Sequence, residues 1–138
     1  MNAVDPTHWL LRFTPAEWIR AAMKELRSAE AAYEVRNARA GLSGLRRAAG
    51  MALNGALILE PNESWGRTYV EHLQALARDT SVPEPVQLAA RALVDTPPPT
   101  TTQIVVLRTP AQDERLREAA KDVIAHAYAV VVRNGAAS

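Results

Sequence analysis

One stretch, residues 37–59, restricts the fold of this chain more than any other. It reads NARAGLSGLRRAAGMALNGALIL, and its small and apolar residues cover too much of a helical wheel for a helix with one wet face. Each glycine inside a helix costs about 1 kcal/mol relative to alanine, so the four glycines need a compensating gain from packing. We therefore predict a central, buried helix whose small residues let a neighbouring helix approach closely. The polar residues left to face water are Arg39, Ser43, Arg46, Arg47 and Asn54.

The composition excludes several classes of protein. With 138 residues the chain has the length of one domain, and we treat 1–138 as a single helical domain. The absence of cysteine excludes disulfides and thiolate metal sites, and a net charge of +1 argues against a dedicated duplex-DNA binder. No apolar run approaches the roughly 20 residues of a membrane helix. We expect a cytoplasmic protein without membrane contact.

Capping signals and periodicity predict the elements before the central helix. Residues 1–13 form a short leader, which we expect to pack on the bundle as a turn of helix. Thr14 and Glu17 have the spacing of a capping box, with Pro15 at the first helical position, and an amphipathic pattern continues to Tyr33. Two connections to the central helix stay open, namely a turn at residues 36–37 or one continuous bent helix.

The elements after the central helix are separated by prolines. Pro61 ends that helix, Ser64 is the predicted cap of a third helix over 65–78, and a short fourth helix ends near residue 95. The segment 96–108 contains three successive prolines and must be extended, either as a strap across the bundle or as an edge that pairs with a second chain. The last helix spans 110–134. The sequence therefore predicts an all-α fold, an antiparallel bundle of four main helices plus a short extra helix.

The strongest candidate for chemistry lies in the stretch WGRTYVEH, residues 65–72. His72 could move a proton to or from a ribose or leaving oxygen, and Arg67 could hold the phosphate, which together would permit RNA cleavage without a metal. Tyr69 could assist by stacking or hydrogen bonding. The alternative is structural: Arg67 pairs with Glu63 or Glu71 on the surface, and His72 lies against the core.

The other polar clusters are predicted to have structural roles. We expect His8 to cap or face solvent, and His126 to be a structural histidine near Asp122. The acids around residues 60–72 lack metal-ligand spacing, and GLSGLRRAAG lacks the features of a phosphate loop, so no metal or cofactor is predicted. Three arginines, Arg39, Arg46 and Arg47, form a modest basic patch on the wet face of the central helix.

The helix order, with WGRTYVEHLQALARD before the last helix, resembles the HEPN superfamily of small bacterial helical bundles over residues 14–134. The resemblance implies a homodimer formed through a helical face. Many toxin members are metal-independent ribonucleases with an R-x4–6-H motif, and Arg67 and His72 match that spacing. Other members are inactive or bind nucleotides, sometimes beside a nucleotidyltransferase partner.

Two functions follow from this resemblance. Thr68 follows Arg67, whereas active members commonly have asparagine, aspartate or histidine at that place. The first expectation is therefore a non-catalytic, dimeric HEPN-like interaction domain that binds a partner protein or a nucleotide. The second is a toxin-type ribonuclease in which Arg67 and His72 from two subunits share one cleft, with RNA as substrate and an antitoxin as partner.

Overall fold

The computed structural model describes residues 8–97 and 110–138, and the regular secondary structure within these residues is helical, with no strand. This confirms the all-α class. The elements are two 3-10 turns, Trp9–Arg12 and Glu63–Trp65, and five helices: α1 (Pro15–Glu34), α2 (Ala38–Leu59), α3 (Tyr69–Arg78), α4 (Glu84–Asp95) and α5 (Pro110–Arg133). None of the helices in this part of the chain is long and apolar enough to cross a bilayer.

The central position of α2 is confirmed by its contacts and its burial. It contacts each of the other four helices, and Ala48 and Ala52 are both 0% exposed. Its glycines allow close packing, as predicted: a Cβ atom added at Gly44 would lie 2.8 Å from the Cβ atom of Ala29 on α1. The gain that offsets the poor helix propensity of glycine is therefore the close approach of a neighbouring helix.

Local capping defines the α1–α2 hairpin. The Thr14 side chain accepts from the Glu17 amide, and the Glu17 carboxylate accepts from the Thr14 amide, which completes the predicted capping box. Arg36 has a φ of 61°, a left-handed conformation that ends helical geometry, and Asn37 then caps α2. The alternative of one continuous bent helix is therefore wrong.

The leader and the strap are described only in part. Residues 9–12 form the 3-10 turn that the sequence predicted, and the Trp18 indole N–H fixes it by donating to the Leu10 carbonyl at 2.7 Å. Residues 1–7 of the leader lie outside the described residues. The same holds for residues 98–108 of the predicted strap, of which only Thr96 and Pro97 are described.

Candidate functional site

The start of α3 differs from its prediction and places Arg67 in a loop. A helix capped by Ser64 was expected from residue 65, but Gly66 has a φ of 71° and interrupts helical geometry there. Helix α3 begins at Tyr69, where Thr68 and Glu71 form a second capping box. Arg67 is therefore an exposed loop residue, and its backbone N–H donates to the Glu71 carboxylate at 3.3 Å.

His72 lies in the first turn of α3 and is 0% exposed. Its Nδ1 atom lies 2.9 Å from the Trp65 carbonyl oxygen, and its Nε2 atom lies 2.8 Å from Oδ1 of Asn54. Burial lowers the pKa of His72 below its usual range, so the ring is neutral near pH 7. The ring is thus packed against the core, as the structural alternative for this residue described.

Trp9 connects the two predicted site residues. Its ring lies nearly parallel to the His72 ring, with centroids 6.1 Å apart and an interplanar angle of 11°. The guanidinium carbon of Arg67 lies 5.7 Å from the centroid of the Trp9 ring, within the range of a cation–π contact. Arg67 and His72 therefore belong to one cluster, in which each of them contacts Trp9.

The position of Asn54 differs from its prediction. Asn54 was expected to face water, but its side chain on α2 is 0% exposed. It shares a hydrogen bond with Nε2 of His72, and the tautomer of the ring decides which residue donates. Its Nδ2 atom is buried and has no hydrogen-bond partner among the described residues, and the same is true of Nε1 of Trp9. A lone amide between Leu53 and Gly55 in a buried helix was the signal that could have revealed it, because a buried amide requires partners.

These residues surround a cleft of about 520 Å³ between the first 3-10 turn, α1, α2 and the loop before α3. Its lining consists of His8, Trp9, Leu11, Arg12, Trp18, Asn54, Arg67, Thr68 and Tyr69. Two of these side chains are guanidinium groups, and no carboxylate belongs to the lining. We call this space the Trp9 cleft. Its charge suits an anion, and its aromatic rings suit a flat group.

Tyr69, the predicted assistant, forms one wall of the Trp9 cleft. Its half-buried ring packs on Gly50 of α2, where an added Cβ atom would overlap the ring atoms. The absence of a side chain at Gly50 thus fixes where Tyr69 sits. The sequence placed Tyr69 near the site, but the packing partner that positions it lies 19 residues earlier in the chain.

The other two histidines have different surroundings. His8 caps the first 3-10 turn, since its Nδ1 atom accepts from the Leu10 amide at 3.2 Å. His126 is half-buried and lines a second cleft of about 550 Å³ between α2 and α5, together with Glu60, Asp79 and Arg133. Burial lowers the pKa of His126 as well.

The predicted basic patch on α2 is present in part, since Arg39, Arg46 and Arg47 line one cleft and two of them, Arg39 and Arg47, are exposed. Arg46 differs from the prediction because it is half-buried and donates to the carbonyl oxygens of Leu93 and Thr96 at 2.6 and 2.5 Å, which satisfies the C-terminal end of α4. Arg47 pairs with Glu25 at 2.6 Å. Within residues 8–97 and 110–138, no group of three or more histidine, aspartate or glutamate side chains is arranged to hold a metal ion.

Comparisons with known proteins add no relative. No family model, curated protein or solved structure matches the chain at a significant level. Within its described residues the protein is all-helical and has a cationic, aromatic cleft whose lining includes the buried amide of Asn54.

Proposed function

We propose that this chain is a non-catalytic, HEPN-like interaction domain and that its Trp9 cleft binds a nucleotide. The observation that carries the proposal is the presence of two guanidinium groups and no carboxylate in the cleft lining, together with the buried Asn54 amide, whose Nδ2 atom has no partner among the described residues. Such a lining attracts an anion and offers directional hydrogen bonds to a second part of the same ligand.

The arginines are suited to a phosphate group. Arg67 is exposed, and none of the ion pairs found among the described residues involves it. Arg12 is also exposed, and its guanidinium carbon lies 5.5 Å and 5.7 Å from the ring centroids of Phe13 and Trp18. Stacking of this kind orders a guanidinium group while leaving its N–H donors available for a bidentate contact with phosphate oxygens.

The aromatic part of the cleft is suited to a base. Trp9 and Tyr69 provide ring surfaces, and stacking of a base on an aromatic side chain is worth about 1–3 kcal/mol. Two polar atoms without partners among the described residues, Nε1 of Trp9 and Nδ2 of Asn54, belong to residues of the same lining. Unpaired buried polar atoms are costly, and a ligand with a hydrogen-bonding edge would offset that cost.

The absence of catalysis is proposed from the position of His72. A general base must reach the proton that it removes, at about 2.6–3.2 Å or through one water. His72 is 0% exposed, does not belong to the lining of the Trp9 cleft, and has both ring nitrogens within hydrogen-bond distance of protein atoms. The ring therefore supports the cleft from behind and does not contact a ligand in it.

Nucleotide binding is tested by isothermal titration calorimetry with ATP, GTP and inorganic triphosphate. We expect Arg67→Ala and Arg12→Ala each to weaken nucleotide binding about tenfold or more, since a charged hydrogen bond contributes about 1.5–3 kcal/mol. Arg27→Ala is the matched control, because Arg27 is also exposed but does not line the Trp9 cleft. Equal affinities for all three variants would contradict the proposal.

A metal-independent ribonuclease is the second proposal, favoured by one observation. Arg67 and His72 both contact the ring of Trp9, so displacement of that one ring would open His72 to the cleft that Arg67 already lines. The test is cleavage of RNA in the presence of EDTA. Cleavage that disappears in Arg67→Ala and His72→Ala supports the enzyme, whereas intact RNA at high protein concentration eliminates it.

We also propose that the chain forms a homodimer through a helical face. The support is the resemblance described above and an exposed apolar pair on α5, Tyr128 and Val132, which are 46% and 49% exposed. These residues are four apart and therefore adjacent on the helix surface. Light scattering should give a dimer mass for the wild type and a monomer mass for the Tyr128→Glu, Val132→Glu double variant. A wild-type monomer at high concentration would refute the dimer.

A further inference from the structure

The two ring nitrogens of His72 cannot both form hydrogen bonds with the oxygen atoms that face them, unless the side-chain amide of Asn54 is rotated. Both ring nitrogens face oxygen atoms, the Trp65 carbonyl at Nδ1 and Oδ1 of Asn54 at Nε2. A neutral imidazole has a single N–H, so it can donate to only one of them and presents a lone pair to the other. A lone pair that faces an oxygen at such a distance is repulsive.

The backbone carbonyl decides which nitrogen carries the hydrogen. The Trp65 carbonyl is held in the 3-10 turn and can only accept, so the favourable tautomer has its hydrogen on Nδ1. Nε2 then needs a donor. A rotation of the Asn54 amide by 180° exchanges its oxygen and nitrogen and turns the NH2 group toward Nε2 at no cost in packing.

The same rotation changes what the cleft offers to a ligand. Asn54 lines the Trp9 cleft, and the amide atom that does not face His72 has no partner among the described residues. With the NH2 group bonded to Nε2, this free atom is the carbonyl oxygen. A buried oxygen without a hydrogen-bond partner costs free energy, and a ligand that donates a hydrogen bond to it would remove that cost.

We propose that Asn54 determines the specificity of the Trp9 cleft: its amide, held by His72, presents a lone acceptor, so the cleft selects ligands that bring an N–H donor to it. His72 acts as the positioning residue, because it fixes the amide without contacting the ligand. The inference rests on the proposed function for the identity of the ligand as a nucleotide, but the orientation of the amide stands on the protein alone.

The orientation is tested first, in the protein without ligand. Two-dimensional ¹⁵N–¹H NMR of the histidine rings distinguishes the two neutral tautomers and the imidazolium. We expect His72 to be the neutral Nδ1–H form at pH 7.5. An Nε2–H tautomer would overturn the inference, because Asn54 would then accept from His72 and present its NH2 group to the cleft.

The specificity is tested with two ligands that differ by one donor. ATP carries the exocyclic amine, and purine riboside 5′-triphosphate lacks it but keeps the ring system and the phosphates. We expect ATP to bind about tenfold more tightly to the wild type, because the analogue leaves the acceptor unsatisfied. In Asn54→Leu the ratio should fall to about one, while both ligands still bind through the arginines. Arg27→Ala should keep the wild-type ratio.

The outcomes separate the two proposals. Similar affinities of the wild type for both ligands would overturn the specificity of Asn54 and leave nucleotide binding in place. If neither ligand binds, the proposed function and the specificity assigned to Asn54 both fail, and the tautomer of His72 decides only the orientation of the amide. Thermal unfolding of Asn54→Leu is recorded in parallel, and the tautomer measurement decides the inference if this variant does not fold.

Discussion

Replacement of His72 by alanine tests whether this histidine has a structural role, because a structural histidine contributes to the free energy of unfolding. The ring is 0% exposed and forms hydrogen bonds at 2.9 Å with the Trp65 carbonyl and at 2.8 Å with Asn54. The substitution removes both bonds and leaves the part-buried Trp65 carbonyl and the buried Asn54 amide without this partner, each at a cost of about 1–3 kcal/mol. It also removes the stacked contact with Trp9. We expect a total loss of about 4 kcal/mol of the free energy of unfolding.

This loss can be measured by urea unfolding followed by circular dichroism. For a chain of 138 residues, about 4 kcal/mol corresponds to a decrease of about 10–15 °C in the thermal midpoint. Arg67→Ala is the matched control, because it removes an exposed side chain of the same cluster and should change stability by less than about 0.5 kcal/mol. A His72→Ala variant as stable as Arg67→Ala would refute the assignment of His72 to the core.

Three further predictions concern packing, a helix end and pH. Gly44→Ala should destabilise the protein by about 1–3 kcal/mol in urea unfolding, despite the better helix propensity of alanine, because the new Cβ atom meets Ala29. Arg46→Ala should lower the free energy of unfolding by about 2 kcal/mol, since it leaves carbonyls at the end of α4 unpaired. The control Arg47→Ala removes an exposed ion pair and should lower it by less than about 1 kcal/mol. Equal losses would contradict the role of Arg46 as a cap. Because the pKa of His72 is lowered in the folded protein, the unfolded chain takes up a proton at a pH where the folded chain does not. The free energy of unfolding should therefore fall as the pH drops below about 6.5. A free energy of unfolding that stays constant between pH 7.5 and pH 5.5 would contradict this.

The candidate site was predictable in part. The spacing of Arg67 and His72 directed attention to the right stretch, and the alternative that His72 lies against the core describes its position in the structure. Asn54 and Trp9 were missed, because each acquires its role from a residue far away in the chain. Asn54 meets His72 across 18 residues, and a helical wheel of α2 alone assigns it to water.

The helical class, the burial of α2 and the capping of α1 could all be predicted from the sequence, because hydrophobic period and capping depend on residues within one or two turns of each other. Tertiary structure alone decided that α3 starts after Gly66, that Arg46 binds the end of α4, and that Trp9 covers His72. These features arise where separate elements meet. A polar side chain then takes the partner that burial requires, and no local pattern encodes which partner that is.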